Sequence, residues 1–401
     1  MQRILVLGAG FAGLWSALGA ARELDARGVG PEQVDILVID RRPVHSIRVR
    51  NYETDLASTV IPLADVLDPV GVRHLAAEIS DIDVAGKTVT CGLQKIQYDR
   101  LIFALGSRLS RPAIPGLATA AFDIDTYEAA RRLEAHIAAL PARPASPGRD
   151  TVLIVGAGLT GIELAAEMPG KLRTAFGAAG TQRVILADHE PWIGSNMGDA
   201  ARPVIATALR SLNIETRTGV SVTAVDAGGA TLATGERIEA ETVVWSAGMQ
   251  ADPLTARFPV TRDRSGRLPV DPFLRIAGMS AEFAAGDVAW LPIDGTHPSV
   301  MSCQHARPMG RYAGHNVVSD LLGGKQLALD IPRYVTILDL GPWGAVYTEG
   351  WDRKMFSEGL AAKRTKQTIN QIRIYPPLNR DRRAILDAAA PEVQPPPAVA
   401  S

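Results

Sequence analysis

The chain has 401 residues, 46% of them hydrophobic, with 42 Lys and Arg against 43 Asp and Glu, for a net charge of −1. That length exceeds what one hydrophobic core normally supports, so two or three domains are expected, and the charge balance excludes the basic footprint of a nucleic-acid binder. No run of about 18 apolar residues occurs, which excludes a transmembrane helix; Cys91 and Cys303 are the only cysteines, without a CxxC, which excludes a neighbouring redox dithiol.

Residues 3–7 form a β-branched and leucine-rich run that reads as a buried strand, followed by Gly8-Ala9-Gly10-Phe11-Ala12-Gly13 and an apolar stretch to Ala21. Behind Arg3 such a stretch has the outline of a signal peptide. The glycines inside it fit a strand-turn-helix unit better, so a cytoplasmic protein is expected. Residues 34–39 form a second strand ending at Asp40, and short strands at 87–89, 95–98 and 101–105 lead to Ala104, Gly106 and Ser107. Cys91 falls in an alternating pattern as a small core residue. After Pro112 and Pro115-Gly116, a helix over 126–140 runs into a Pro-rich linker at 141–147.

The opening pattern then recurs. A strand over 151–155 precedes Gly156-Ala157-Gly158-Leu159-Thr160-Gly161, and a strand over 183–187 ends at Asp188, which follows its first glycine by 32 residues, as Asp40 does. Glycines at this spacing let the backbone turn tightly against a pyrophosphate on the next helix N-terminus, and the acid can accept hydrogen bonds from ribose hydroxyls. Two dinucleotide sites are implied. Each acid stands 27 residues past the third glycine, beyond the usual spacing of about 20, which implies a longer helix or loop. The repeat extends to 243–248, where a strand again enters a small-residue turn at Gly248.

Farther on, residues 282–287 deliver Gly286-Asp287 to a turn, and a helix is expected over 304–322. Segments 334–340 and 345–348 flank Gly341-Pro342-Trp343-Gly344 as a hairpin. Residues 351–383 hold nine basic and three acidic residues, and the segment around Pro395-Pro396-Pro397 is expected to be disordered.

In this order the two glycine fingerprints with Asp40 and Asp188, Ala104 to Gly106, Thr160 to Glu163, Ser246 to Gly248 and Gly286-Asp287 resemble two-dinucleotide flavoproteins. The whole is most similar to the type II NADH dehydrogenases, over about residues 1–320. The resemblance implies an α/β fold with two Rossmann-like dinucleotide-binding domains, the second inserted into the first, plus a small C-terminal α+β region. Residues 1–115 and 252–325 would bind FAD, 116–251 would bind NAD(P)H, 326–390 would form the C-terminal region, and 391–401 a disordered tail.

On the FAD side the resemblance implies Gly8, Gly10, Phe11, Ala12, Gly13, Asp40, Arg41, Ala104, Gly106, Gly286 and Asp287; the alternative for Asp287 is a plain turn. On the nicotinamide side it implies Gly156, Gly158, Leu159, Gly161, Asp188 and Gly248. Asp188 would repel a 2′-phosphate and so favours NADH over NADPH, although Arg183 and His189 stand close in sequence. Glu163 is placed near the nicotinamide, where it would bond the carboxamide or merely complement the helix dipole. No metal is expected.

Three segments depart from the family. Where quinone-reducing relatives carry Ala-Gln-x-Ala-x-Gln, this chain reads Cys303-Gln304-His305-Ala306-Arg307-Pro308. Gln304 would bond a quinone carbonyl or cap the helix; His305 would supply a proton or face solvent; Cys303 would react near the flavin or stay inert. Arg48 and Arg50 share a face if extended, and would serve an anionic acceptor, reduced flavin or only the surface. In the C-terminal region Leu360, Ile369 and Ile372 make a partial apolar stripe. Its +6 charge would hold the protein at an anionic membrane's inner face, or serve as a solvated face, partner contact or lid.

The expected function is an FAD-dependent oxidoreductase that takes a hydride from NADH and passes two electrons to a quinone or quinone-like acceptor. The alternatives are a soluble NAD(P)H-dependent reductase of a small substrate or carrier, and a redox-sensing FAD/NADH-binding protein.

Overall fold

The structure, a computed structural model, describes residues 1–177, 182–194 and 197–397. The first sheet starts from β1 (Gln2–Leu7), whose residues Ile4 to Leu7 are inaccessible to solvent because both faces are covered. Helix α1 (Phe11–Ala26) leads to β2 (Val34–Asp40), and β3 (Arg73–Ala76) and β4 (Arg100–Phe103) complete a parallel arrangement in the order β4-β1-β2-β3.

From β4 the chain leaves through β5 (Ser107–Leu109), passes α2 (Tyr127–Ala139), which is N-capped by Thr126, and enters a second parallel sheet. There β6 (Thr151–Val155), α3 (Leu159–Phe176), β7 (Arg183–Ala187), β8 (Ile214–Arg217) and β9 (Thr242–Trp245) give the order β8-β7-β6-β9. The way back is β10 (Met249–Ala251), which pairs antiparallel with β5, Ser107 opposite Ala251 and Leu109 opposite Met249. The outgoing and returning passages thus form one two-stranded ribbon. Strand β11 (Glu282–Ala284) then joins the first sheet beside β4.

Helix α4 (Cys303–Leu322) lies across α1. The helices approach closely because their crossing is lined by glycines: a Cβ on Gly310 would stand 2.4 Å from Ala12 O, and one on Gly314 2.3 Å from Ser16 O. The expected hairpin is β12 (Val335–Asp339) with β13 (Ala345–Glu349), and β14 (Lys354–Glu358) adds a third antiparallel strand. Helix α5 (Gly359–Thr368) packs on this sheet, and a π-helical turn, Ile369–Arg373, follows.

The disorder expected from residue 391 does not extend over 391–397. Val393 packs against the first core and Gln394 accepts from Arg307 at 3.1 Å, contacts that anchor the segment on α4. Residues 398–401 lie outside the described residues.

Candidate active site

Each glycine loop is locked by the acid that ends the neighbouring strand. Asp40 accepts from the Ala9 N–H at 2.8 Å and from the Arg42 N–H at 2.9 Å. In the second unit Asp188 accepts from the Ala157 N–H and, at 2.8 Å, from the Glu190 N–H. The third glycine of each loop is consumed by the turn itself, for a Cβ on Gly13 would stand 1.9 Å from Gly8 O and one on Gly161 1.8 Å from Gly156 O. At the middle glycines, Gly10 and Gly158, a Cβ would meet nothing within 4 Å. Both cap their helices without a side-chain acceptor, so open space faces unpaired backbone N–H groups, which is the fit that a dinucleotide diphosphate requires.

The remaining expected residues gather around these loops. Phe11 and Ala12 open α1 and Leu159 opens α3, Arg41 is exposed beside Asp40, and Ala104 closes on Gly8. Gly106 and Gly248 turn the chain from β4 and β9 into the ribbon. Gly286 brings Asp287 to the first cradle with 2.7 Å between its hypothetical Cβ and Ala12 Cβ. The Ser107 hydroxyl donates to Asp287 at 2.6 Å. Desolvation holds the Asp287 carboxyl above the usual carboxylate range, against the pull of Ser107, Arg48 and Arg267.

Neither arginine of the 48–50 segment is free. The segment forms a 3-10 turn, not the extended stretch that would align the two. Arg48 donates to Ser107 O at 3.1 Å and pairs with Asp125, while Arg50 is buried against Glu53, Ser58 and Tyr375.

The start of α4 corrects two expectations. Its cap is Ser302, not Gln304; the Gln304 amide, oriented with its nitrogen toward Val335, donates to Val335 O at 2.7 Å and accepts from Val335 N–H at 3.2 Å. That side chain ties α4 to the C-terminal sheet and is spent. His305 is fully buried beneath Tyr334 and Trp351. Its Nδ1 accepts from the Val300 N–H at 2.9 Å, leaving the proton on Nε2, and burial pulls its pKa down to about 4. It therefore neither faces solvent nor offers a proton near neutrality. Burial likewise pushes the Cys303 thiol up, which leaves it protonated and unreactive.

Glu163 is engaged by the C-terminal region. Buried in α3, it accepts from Lys366 Nζ at 2.7 Å and from the Asp339 N–H at 3.1 Å, so one carboxylate oxygen is committed to the C-terminal region rather than to a carboxamide. Lys366 donates further to Ile337 O at 2.8 Å. Asp339 in turn pairs with Lys363 and accepts from the Tyr52 hydroxyl at 3.2 Å. Burial raises the Glu163 carboxyl in spite of Lys366; burial acts to lower Lys366, but Glu163 and Asp339 outweigh it and keep the ammonium charged. A cavity of about 210 Å³ opens on this group, lined by Tyr52, Glu167, Asp339, Lys363 and Lys366 among others.

The model of the pyridine nucleotide-disulphide oxidoreductase family matches residues 2–310. The chain belongs to that family. It is an FAD-dependent oxidoreductase of pyridine nucleotides, and with two free cysteines and no CxxC it lacks the neighbouring dithiol of the family's name. The NADH dehydrogenase-like protein of Mycobacterium tuberculosis is 57% identical over 99% of this chain and 100% of its own length. The type II NADH:quinone oxidoreductase of Staphylococcus haemolyticus is 28% identical over 85% of this chain and 88% of its own. Among solved structures, NDH2 from Plasmodium falciparum in complex with NADH superposes with a TM-score of 0.79 over 96% of this chain and 97% of that one, at 15% identity, a likeness of fold.

Sequence reasoning missed Tyr52, Asp339, Lys363 and Lys366. The two lysines stand three apart on one helix, a spacing that shares a face, but they counted only toward a basic surface.

Proposed function

We propose that the protein takes a hydride from NADH through FAD and passes two electrons to a quinone or quinone-like acceptor. In this reading residues 1–115 and 252–325 hold FAD, and 116–251 hold the nicotinamide dinucleotide. The observation that carries it is the pair of open-centred, acid-locked glycine loops. The acceptor class is supported by relatives named type II NADH:quinone oxidoreductase and demethylphylloquinone reductase.

Bound FAD supplies the two-electron chemistry; the chain's own share is binding, orientation and proton supply. Asp287 and Asp40 would receive FAD hydroxyls, and Asp188 the NADH ribose. NADH is preferred to NADPH because the nearby arginines are spent: Arg183 and Arg217 each pair with Glu215 at 2.7 Å, leaving Asp188 as the local charge toward a 2′-phosphate. A quinone reduced by two electrons takes up protons; the cavity beside Lys366 would admit the water that delivers them, with the Lys366 ammonium holding the Glu163 carboxylate in position.

Among the described residues no helix is long and apolar enough to cross a membrane. Residues 351–383 instead expose Phe356, Leu360, Ile372 and Leu378 at 50 to 70% beside their basic residues, which supports peripheral contact with anionic lipid. Ile369 points into the C-terminal cluster and leaves the expected stripe.

Anaerobic NADH should bleach the yellow protein, and a short-chain quinone should restore the colour, faster with anionic liposomes. A colourless protein that binds no FAD would refute the reading. The engagement of Gln304 with Val335 favours a second one, a reductase of another small acceptor or carrier; rapid bleaching with a negligible quinone rate selects it.

A further inference from the structure

Three guanidinium groups converge where α1, α4 and the C-terminal segment meet, one turn of α1 beyond the first glycine loop. Arg311 is 1% exposed, yet its Nε and one Nη have no partner. Arg307, one turn earlier on α4, also has an unpartnered Nε. Both lie over the Trp15 ring, at 4.2 and 5.3 Å from its centroid, and the Trp15 indole N–H is itself buried and unpaired. Arg373 approaches from the π-helical turn.

The atoms that these groups donate to are neutral, and the one carboxylate that acts on the cluster, Glu392 on Arg311, does so without a direct pair. Arg307 donates to the Gln394 side chain at 3.1 Å, Arg311 to Glu392 O at 3.5 Å and Arg373 to Pro395 O at 2.8 Å. No carboxylate among the described residues pairs with any of the three. Burial lowers Arg307 and Arg311 to about 10, which still leaves both charged at neutral pH. Water could satisfy the orphaned donors but would leave the charges uncompensated, and a buried unpaired charge is among the costliest arrangements a fold can hold.

We propose that Arg307, Arg311 and Arg373, beneath residues 391–397, form a binding site for a phosphate-class oxyanion. The planar, forked donors of guanidinium match two oxygens of such a group at once, and the indole N–H adds a further donor. The segment 391–397 holds the three guanidinium groups through its carbonyl and amide oxygens, which leaves the Arg307 Nε, the Arg311 Nε and Nη2 and the Trp15 indole N–H as the donors free for the anion. A free phosphate or a lipid phosphate monoester has the required chemistry, and the exposed Ile372 and Leu378 lie in a neighbouring groove of about 750 Å³ that includes Tyr375.

The test uses the full-length, FAD-loaded protein. In one arm, inorganic phosphate is titrated against chloride at matched ionic strength and thermal unfolding is followed by flavin fluorescence. In the other, binding is measured to vesicles of phosphatidylcholine with and without phosphatidic acid. The expected result is a saturable phosphate-specific rise in Tm, with the apparent Kd weakened about tenfold or more in Arg311→Gln and in Arg373→Gln. Arg373 is less buried, so its variant keeps the test open if Arg311→Gln does not fold. A phosphate effect assigns the free ion. Phosphatidic acid binding lost in these variants but kept in Arg210→Gln, an exposed control outside the basic C-terminal segment, assigns the lipid headgroup. If neither phosphate nor phosphatidic acid discriminates the variants from the parent, the site does not exist.

Discussion

The two dinucleotide units share a loop and differ in what stands behind it. In both, an aspartate locks the glycine turn through the same N–H, and the middle glycine faces open space. Behind the first loop, α1 is buried on almost every side and pressed against α4 at glycine contacts. Behind the second, α3 turns Glu163 and Glu167 toward lysines of the C-terminal region. The loops offer a diphosphate the same features, while the helix surfaces behind them differ: one is closely packed against α4, the other turned to charged residues.

Breaking the turns should separate the two most strongly. Gly13→Ala places a methyl against Gly8 O and should yield colourless protein. Gly161→Ala should stay yellow and be reduced by NADH about a hundredfold more slowly, as expected for ~3 kcal/mol of overpacking. Absorbance and stopped-flow traces decide this. Asp40→Ala should release FAD, whereas Asp188→Ala should spare it and raise KM for NADH about tenfold; equal flavin loss would mean that the sites are exchanged.

Lys366→Met leaves Glu163 buried without its cation and should cost about 3 kcal/mol of stability, partly recovered when Glu163→Gln is added. In the variant, NADH should still bleach the flavin at near the parent rate while quinone turnover falls about tenfold. Slowed bleaching instead would return Glu163 to the nicotinamide side.

Acid should weaken the first unit more than the second. His45, behind the first loop with its Nδ1–H on Ala9 O at 2.8 Å, is held by burial at about 4, as is His305. The unfolded chain takes up these protons near pH 6.5, so their stabilisation is complete above that value and is lost as the pH falls toward 4, by roughly 3 kcal/mol for each imidazole. His45→Gln should flatten the slope of Tm over that window. The smallest effect is expected of Gln304→Ala, whose quinone kcat/KM should change less than about threefold because its amide already serves Val335; a tenfold loss would restore Gln304 to the acceptor site.

The glycine loops were legible in the sequence because their requirement is local: a Cβ at the third position collides with a residue five places away. The acids were legible for the same reason. The Glu163–Lys366 pair was not, since 203 residues separate its partners and only packing of α5 brings them together. Strand β14 escaped notice because its alternating pattern is polar and half exposed. His305 misled because residue type does not report burial; its environment is made by Tyr334 and Trp351, which arrive from beyond α4.

The ribbon of β5 and β10 limits how the second unit can move. Two hydrogen-bonded passages laid side by side resist spreading but yield to torsion, since twisting about their common axis leaves each pair, Ser107 with Ala251 and Leu109 with Met249, in register. A connection of this kind favours a swivel of the second unit over the opening of a jaw.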